Sequence, residues 1–388
     1  MLEKLKIRIK SLSLASKIKS VVFIVLGFLA AVLLIIINET VSKLYDQHAA
    51  QYWDENNNAY QITLLFDEEA KVNNDTVMEL MHNYTKDLKA TIGGASFINT
   101  ENEDSSYADY AYMAEGNVSL NFESRNVSSI KTYGVSGDYF LFHPYEMISG
   151  SFFDKDEFHK DCVVLDENTA YSLFGSADVI GMTLYAGDVP LVVKGVYKAF
   201  ETKYDKAAKG FETLSNAVVL ENGSVSEAAM DCLIYMPFDT LCALSGDKNI
   251  TCLELVSVSP SESFMYNKIT EKMQSYISHM EIVKNSSRFG IGNMFSVVNM
   301  GAKRSMHVNK IDYPYFENVA RAYEDVIANY YILVFVFSLI DTVLFVSFLH
   351  HKYVNRKIHF STVVDKYERL REKMRQSGNK QKKKWEHF

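Results

Sequence analysis

Asp341 is the one ionisable residue that its sequence surroundings single out. It lies in the 24-residue apolar run 326–349, VIANYYILVFVFSLIDTVLFVSFL, eight residues from the end of that run. By helical rise this places it about 12 Å inside. A carboxyl at such depth in a bilayer costs a few kcal/mol and as a rule faces protein or water. The functional readings are contact with a partner membrane helix or a step in a proton or ion relay. The structural reading is a shallow side chain that snorkels, or that bonds near Asn329 or Ser338.

A second constellation lies in the tail. Lys366, Arg369, Arg371, Lys373 and Arg375 interleave with Val363, Val364, Tyr367, Leu370 and Met374 at near-helical spacing. Lys380 and the run Lys382, Lys383, Lys384 follow. A basic amphipathic helix beside a membrane binds anionic lipid at about 1 kcal/mol per near-surface charge. It packs equally well on a cytoplasmic partner, and a solvated tail that only fixes topology has the same composition.

Motifs of catalysis do not occur. The sequence has no G-x-x-x-x-G-K-[ST] loop, so an ATPase of that kind must be another chain. Gly290-Ile291-Gly292 lacks the third glycine and the preceding strand of a dinucleotide site. H-E-x-x-H and G-x-S-x-G are both missing, and of ten histidines only His350 and His351 are adjacent, where interface anchoring explains them. The expectation is a chain with no catalytic residue, no metal ligand set and no cofactor. Cys162, Cys232, Cys242 and Cys252 show no C-x-x-C spacing. They allow two disulfides in an oxidising compartment, or four buried free thiols.

The elements that must position these residues begin with a second apolar run, 21–37, VVFIVLGFLAAVLLIII, which carries no charge and reads as an uncleaved anchor. Residues 1–20 hold six basic side chains against Glu3, and residues 350–388 hold twelve against four acidic ones. The stretch between them carries 22 basic and 43 acidic residues. An acidic body with basic ends argues against nucleic acid as a partner, and the positive-inside rule puts both ends in the cytoplasm. The expected organisation is a cytoplasmic N-terminus over 1–20, a membrane helix over 21–38, an extracytoplasmic domain over 39–325, a membrane helix over 326–349 and a cytoplasmic tail over 350–388.

Within the external part, VSKLYDQHAAQYW reads as helix continuing out of the membrane, and both membrane helices as outward stalks. AYQITLLF reads as strand and DTVMELMHNYTKDL as helix, and NTENEDSSYADY (99–110) has the composition of a loop. Short strands follow: NVSLNF, SSIKTYGVS, CVVL, MTLYA, LVVKGVY, CLIYMPF and CLELVSVS. Asp166 is the expected N-cap of ENTAYSLF, Gly175 its C′ residue, and Gly187-Asp188 a hairpin turn. SESFMYNKITEKMQSYI is a helix capped by Ser261 or Ser263, and SRFGIGNMFSVVNMGAKRS is open between loop and helix. The class is α+β.

These elements resemble the MacB-like periplasmic core domain. YGVSGDYFLFHPYEMISGSFF (133–153) is similar to one segment of that family. VVLDENTAYSLFGSADVIGMTLYAGDVPLVVKGVYK (163–198) is similar to its most telling one, through Leu173-Phe174-Gly175, Ile180-Gly181 and Val193-Lys194-Gly195-Val196. IYMPFDTL (234–241), with Pro237, resembles a later strand. The family comprises permeases of MacB/FtsX-type ABC transporters, in which a cytoplasmic ATPase drives movement of the external domain. The resemblance implies a fold and no chemistry, because its shared positions are structural: Phe174, Gly175, Gly181, Gly195 and Pro237.

Such permeases continue with further membrane helices, whereas here no third apolar run follows residue 349. The resemblance therefore implies a two-pass plasma-membrane protein that is a non-catalytic accessory or split subunit of an export or envelope complex. Its partners would be membrane lipids, a full permease and a P-loop ATPase in a hetero-oligomer. The rival expectation is a stand-alone homo-oligomeric envelope sensor or scaffold.

Overall fold

The computed structural model describes residues 14–54, 58–92, 107–155, 157–198, 232–300, 310–355, 367–372 and 375. The chain forms two compact units, one of residues 36–331 and one made of 1–35 with 332–388.

Apolar residues without a proline give one long helix, α1 (Leu14–Val41). The expected continuation through Trp53 does not form. A 3₁₀ turn at Tyr45–Gln47 and a short helix α2 (Ala49–Trp53) replace it. Two side chains account for the break. His48 Nε2 lies 2.9 Å from the carbonyl of Val41 at the helix end, and Gln61 Oε1 takes the Ala49 N–H at 2.9 Å. Both groups satisfy backbone atoms that a continuous helix would have paired internally.

The chain then enters the sheet through β1 (Ala59–Phe66), and helix α3 (Asn74–Ile92) leads on to the long hairpin β2 (Ala108–Phe122) and β3 (Arg125–Gly137). Strand β2 starts inside the stretch expected to be loop, because Ala108 to Met113 pair with a later strand. A single helical turn α4 (Tyr139–Phe142) and β4 (Met147–Gly150) follow.

Next come β5 (Cys162–Asp166), α5 (Glu167–Phe174), β6 (Thr183–Ala186) and β7 (Val189–Tyr197), the helix with the bounds that local signals predict and the strands within one or two residues of theirs. Asp166 accepts the Thr169 N–H at 3.3 Å, and Gly175 ends α5 at φ 77°, a left-handed position that favours glycine. The segment closes with β8 (Leu233–Pro237), α6 (Phe238–Ser245), β9 (Cys252–Val258), α7 (Glu262–Lys272) and β10 (Met280–Lys284). Ser261 is the N-cap of α7, accepting the Phe264 N–H at 3.1 Å.

Among the described residues ten strands make one mixed sheet in the order β10-β1-β9-β2-β3-β8-β5-β7-β4, with β6 joined to β2 and β7. Two pairings, β3 with β8 and β5 with β7, are parallel and the rest antiparallel. Alternation along the strands separates two interiors. Ile62, Leu64, Ile130, Val163, Ile234, Leu253 and Leu255 face an aliphatic side, where Val77, Leu80, Leu173, Leu241 and Ile269 from the helices cover them. Tyr133, Tyr235, Leu65 and Val256 face the other side, with Ala49, Tyr139, Phe142 and Tyr315 over them.

In the ambiguous glycine-punctuated segment, Ile291–Met300 forms a helix, α8, and residues 301–305 lie outside the described residues. The last long element is α9 (Tyr315–Asn355), 41 residues without glycine or proline. At 1.5 Å per residue it is about 60 Å long. None of the four cysteines is in a disulfide, and Cys162, Cys232 and Cys252 are buried.

Candidate functional site

The densest polar arrangement lies where α9 meets the sheet. Arg288 is buried just after β10, in a short 3₁₀ turn and its exit. Its guanidinium forks onto Glu317 with two bonds of 2.8 Å, reaches Glu324 at 2.5 Å, and donates to Gln47 at 2.9 Å. Glu317 also takes a 2.7 Å bond from Arg321, which reaches Glu281 on β10 at 2.6 Å. Tyr313 donates to the second oxygen of Glu281 at 2.5 Å and lies under the Arg321 guanidinium, 3.8 Å from ring centre. Burial alone would raise the Glu317 carboxyl, but the two guanidiniums outweigh it and hold it below the ordinary carboxylate range.

Gln47 carries the network onward. It accepts from Asn285, whose oxygen takes the Thr63 hydroxyl at 3.0 Å on β1. Thr63 stands 3.5 Å from Glu254 on β9, and Glu254 holds the fully buried His143 at 2.5 Å. Asp46 is 3.2 Å from the other ring nitrogen of His143, off the hydrogen-bond line, so that nitrogen has a charge beside it and no bond. Burial lowers the affinity of this imidazole for a proton. The flanking charges of Glu254 and Asp46 outweigh it and raise the pKa to about 10. His143 is therefore an imidazolium at neutral pH.

Around it stand Tyr133, Tyr139, Tyr145, Tyr197, Tyr235 and Tyr315, all buried or nearly so. Tyr235 donates to Tyr145 at 2.9 Å, and Tyr145 and Tyr315 share a 2.5 Å contact between hydroxyls. The arrangement binds three parts of the chain together: the segment just after α1, the sheet, and the first turns of α9. Chemically it is a set of buried ion pairs and hydroxyl bonds, suited to holding position. Among the described residues no group of three or more His, Cys, Asp or Glu side chains is arranged to hold a metal.

In the two-helix unit, α1 and α9 face each other through a Phe23–Phe345 ring pair 6.4 Å apart and a 3.5 Å contact of Lys19 Nζ with Ser347. The Asp341 carboxylate lies against Gly27, where an added Cβ would stand 3.4 Å from its oxygen. One Asp341 oxygen is enclosed without a hydrogen-bond partner. Of the two polar residues expected near it, Asn329 bonds the Asp325 carbonyl, and the Ser338 carbonyl takes the Thr342 hydroxyl. Both helices are long and apolar enough to cross a membrane, and only 6% and 0% of their apolar windows are buried. A core helix of a soluble protein would be mostly covered.

Residues 20–263 match the family model of the MacB-like periplasmic core domain. The chain belongs to that family. It is similar to the macrolide export ATP-binding/permease protein MacB of Pasteurella multocida, at 29% identity over 79 residues, 20% of this chain and 12% of that protein. The same protein of Chromobacterium violaceum is 35% identical over 75 residues, 19% of this chain and again 12% of the relative. The chain thus matches a small part of these relatives' length. The periplasmic region of MacB from Actinobacillus actinomycetemcomitans superposes with a TM-score of 0.37 at 14% identity, covering 59% of this chain and 90% of that one. Two bare apolar helices on a domain of this family make the chain a membrane protein with an extracytoplasmic domain.

The positions that the resemblance marks as structural make local packing and backbone contacts. The Phe174 ring packs on Phe122, 4.3 Å between centres. Gly181 donates its N–H to Val193 at 2.8 Å, and Pro237 closes β8 opposite Val135. Gly195 admits close backbone approach, since a Cβ there would lie 2.6 Å from the Ser151 carbonyl oxygen. Arg369, Arg371 and Arg375 are exposed, while Lys366, Lys373, Lys382, Lys383 and Lys384 lie outside the described residues.

Sequence reasoning passed over Arg288, His143 and Glu254. A signal existed at Glu317, Arg321 and Glu324: spacing of four and three puts these charges on one helix face, beside the apolar Ala320 and Ile327.

Proposed function

We propose that this chain is a non-catalytic membrane subunit of a MacB/FtsX-like ABC export or envelope complex. Its external domain binds or gates substrate, and its helices pass on motion generated by a separate cytoplasmic ATPase. The observation that carries this reading is the Arg288 junction. A single buried guanidinium grips the root of α9 through Glu317 and Glu324, and through Gln47 the segment that follows α1. Removing one partner from such a buried set leaves uncompensated charge, so the first turns of α9 are held to the sheet. In this reading both termini are cytoplasmic, Asp341 meets a partner helix in the membrane, and the basic tail meets anionic lipid or the partner complex.

The test is purification of the tagged full chain in mild detergent, with mass spectrometry of everything retained. Recovery of a larger permease with a P-loop ATPase supports the reading. Loss of both with Asp341→Ala, or with residues 361–388 deleted, would locate the contact. A defined homo-oligomer alone overturns it in favour of a stand-alone sensor or scaffold.

A further inference from the structure

Helix α8 has three faces. Met294 and Val297 are buried, and they pack on Ile37, Ile327 and Ala328 with Phe289. Asn293, Ser296 and Asn299 make a polar face. Between these lies a third face of Ile291, Phe295 and Val298, spaced by four and three residues, which the protein leaves 57%, 39% and 46% exposed. Three large apolar side chains aligned on one turn-to-turn stripe are an interaction surface rather than scattered surface hydrophobes.

The level of the helix identifies what covers it. Ile37 ends the first apolar run, and Ile327 and Ala328 begin the second. Helix α8 therefore lies against the points where both membrane helices leave the hydrocarbon, beside Tyr330 and Tyr331, residues of the type that mark a membrane–water boundary. Its ten residues carry no charge that would oppose entry into that boundary. We propose that α8 is a membrane-surface helix whose Ile291–Phe295–Val298 stripe seats among the lipids of the outer leaflet, at the junction of headgroup and acyl chain. The helix then holds the base of the external domain down on the bilayer. This role stands independently of the transporter reading, because it needs lipid and no other chain.

The experiment places tryptophan on two faces of α8 in the full chain, reconstituted in phosphatidylcholine bilayers. Phe295→Trp and Val298→Trp report the stripe, Ser296→Trp the polar face, and emission of the parent chain, from Trp53 and Trp385, is subtracted. Bilayers with acyl chains brominated near the headgroup are compared with unbrominated ones, and aqueous iodide serves as the opposing quencher. The expected result is blue-shifted emission for the stripe variants, lost on bromination and insensitive to iodide, with the reverse for Ser296→Trp. Stripe residues quenched by iodide as strongly as Ser296→Trp would show that water covers them and overturn the proposal. Stripe residues shielded from both quenchers would show that protein covers them, and would overturn it as well. Two stripe variants guard against one that fails to fold.

Discussion

The two sides of the sheet are built from different chemistry although they share most of its strands. One interior is aliphatic: Leu253 and Leu255 on β9, for example, meet helices whose apolar positions recur at helical spacing. The other, one residue out of phase, carries Glu254 between them, with Thr63 and Gln61 on β1 and a cluster of buried tyrosines. Aliphatic packing is non-directional and tolerates repacking, so it gives stability without fixing an angle. Ion pairs and hydroxyl bonds are directional, and here they engage the segment after α1 and the first turns of α9. The difference teaches that stability and positioning are assigned to opposite faces.

Breaking the positioning side should have the largest effect. Arg288→Met removes the guanidinium that bonds Glu317, Glu324 and Gln47 and leaves Glu317 with Arg321 alone, and a loss of about 3–5 kcal/mol is expected. Chemical denaturation in detergent measures the loss. Hydrogen exchange should rise first in 315–325, because the root of α9 loosens before the sheet does. Uniform exchange across the sheet would count against a separate positioning role.

That asymmetry also explains what the sequence revealed. The stretch from β5 to β7 was legible because its signals are local: Asp166 caps, Gly175 turns, and Gly187-Asp188 closes a hairpin within 36 residues. The ionic junction was not, since Arg288 and Gln47 stand 241 positions apart and Arg288 falls in a segment with no clear period. The first helix was read as a continuing stalk because residues 41–53 keep helical spacing. Only the carbonyl contact of His48 and the side chain of Gln61, both set by the folded chain, end it.

On the aliphatic side Leu253→Ala should cost about 2–5 kcal/mol, as for a buried leucine truncated in a core. The same exchange measurement should then rise over many strands together, with no early loosening of α9. If α9 loosens first here too, the two faces are not distinct.

The His143 site gives a comparison by pH. Its folded pKa of about 10 lies above the ordinary 6.5, so the folded protein holds a proton that the unfolded chain releases. The contribution is complete below about pH 6.5 and disappears as pH rises towards 10, at up to about 1.4 kcal/mol per pH unit. Denaturation midpoints between pH 7 and 9 should fall for the parent chain. They should stay nearly level for His143→Gln, and equal slopes in both would remove this histidine from the account.

The smallest expected change is Ser261→Ala, which removes the N-cap of α7 on the aliphatic side and should cost about 1 kcal/mol without altering exchange in α9.

The thiols carry a practical consequence. Burial raises the Cys162 thiol to about 11 and pushes Cys252 well above its ordinary range, while Cys242 is raised more modestly. At neutral pH almost none of Cys162 or Cys252 is thiolate, the form that attacks disulfides and oxidants. The fold draws its stability from packing and ion pairs with no disulfide among its four cysteines, so a reducing buffer should leave its denaturation midpoint unchanged.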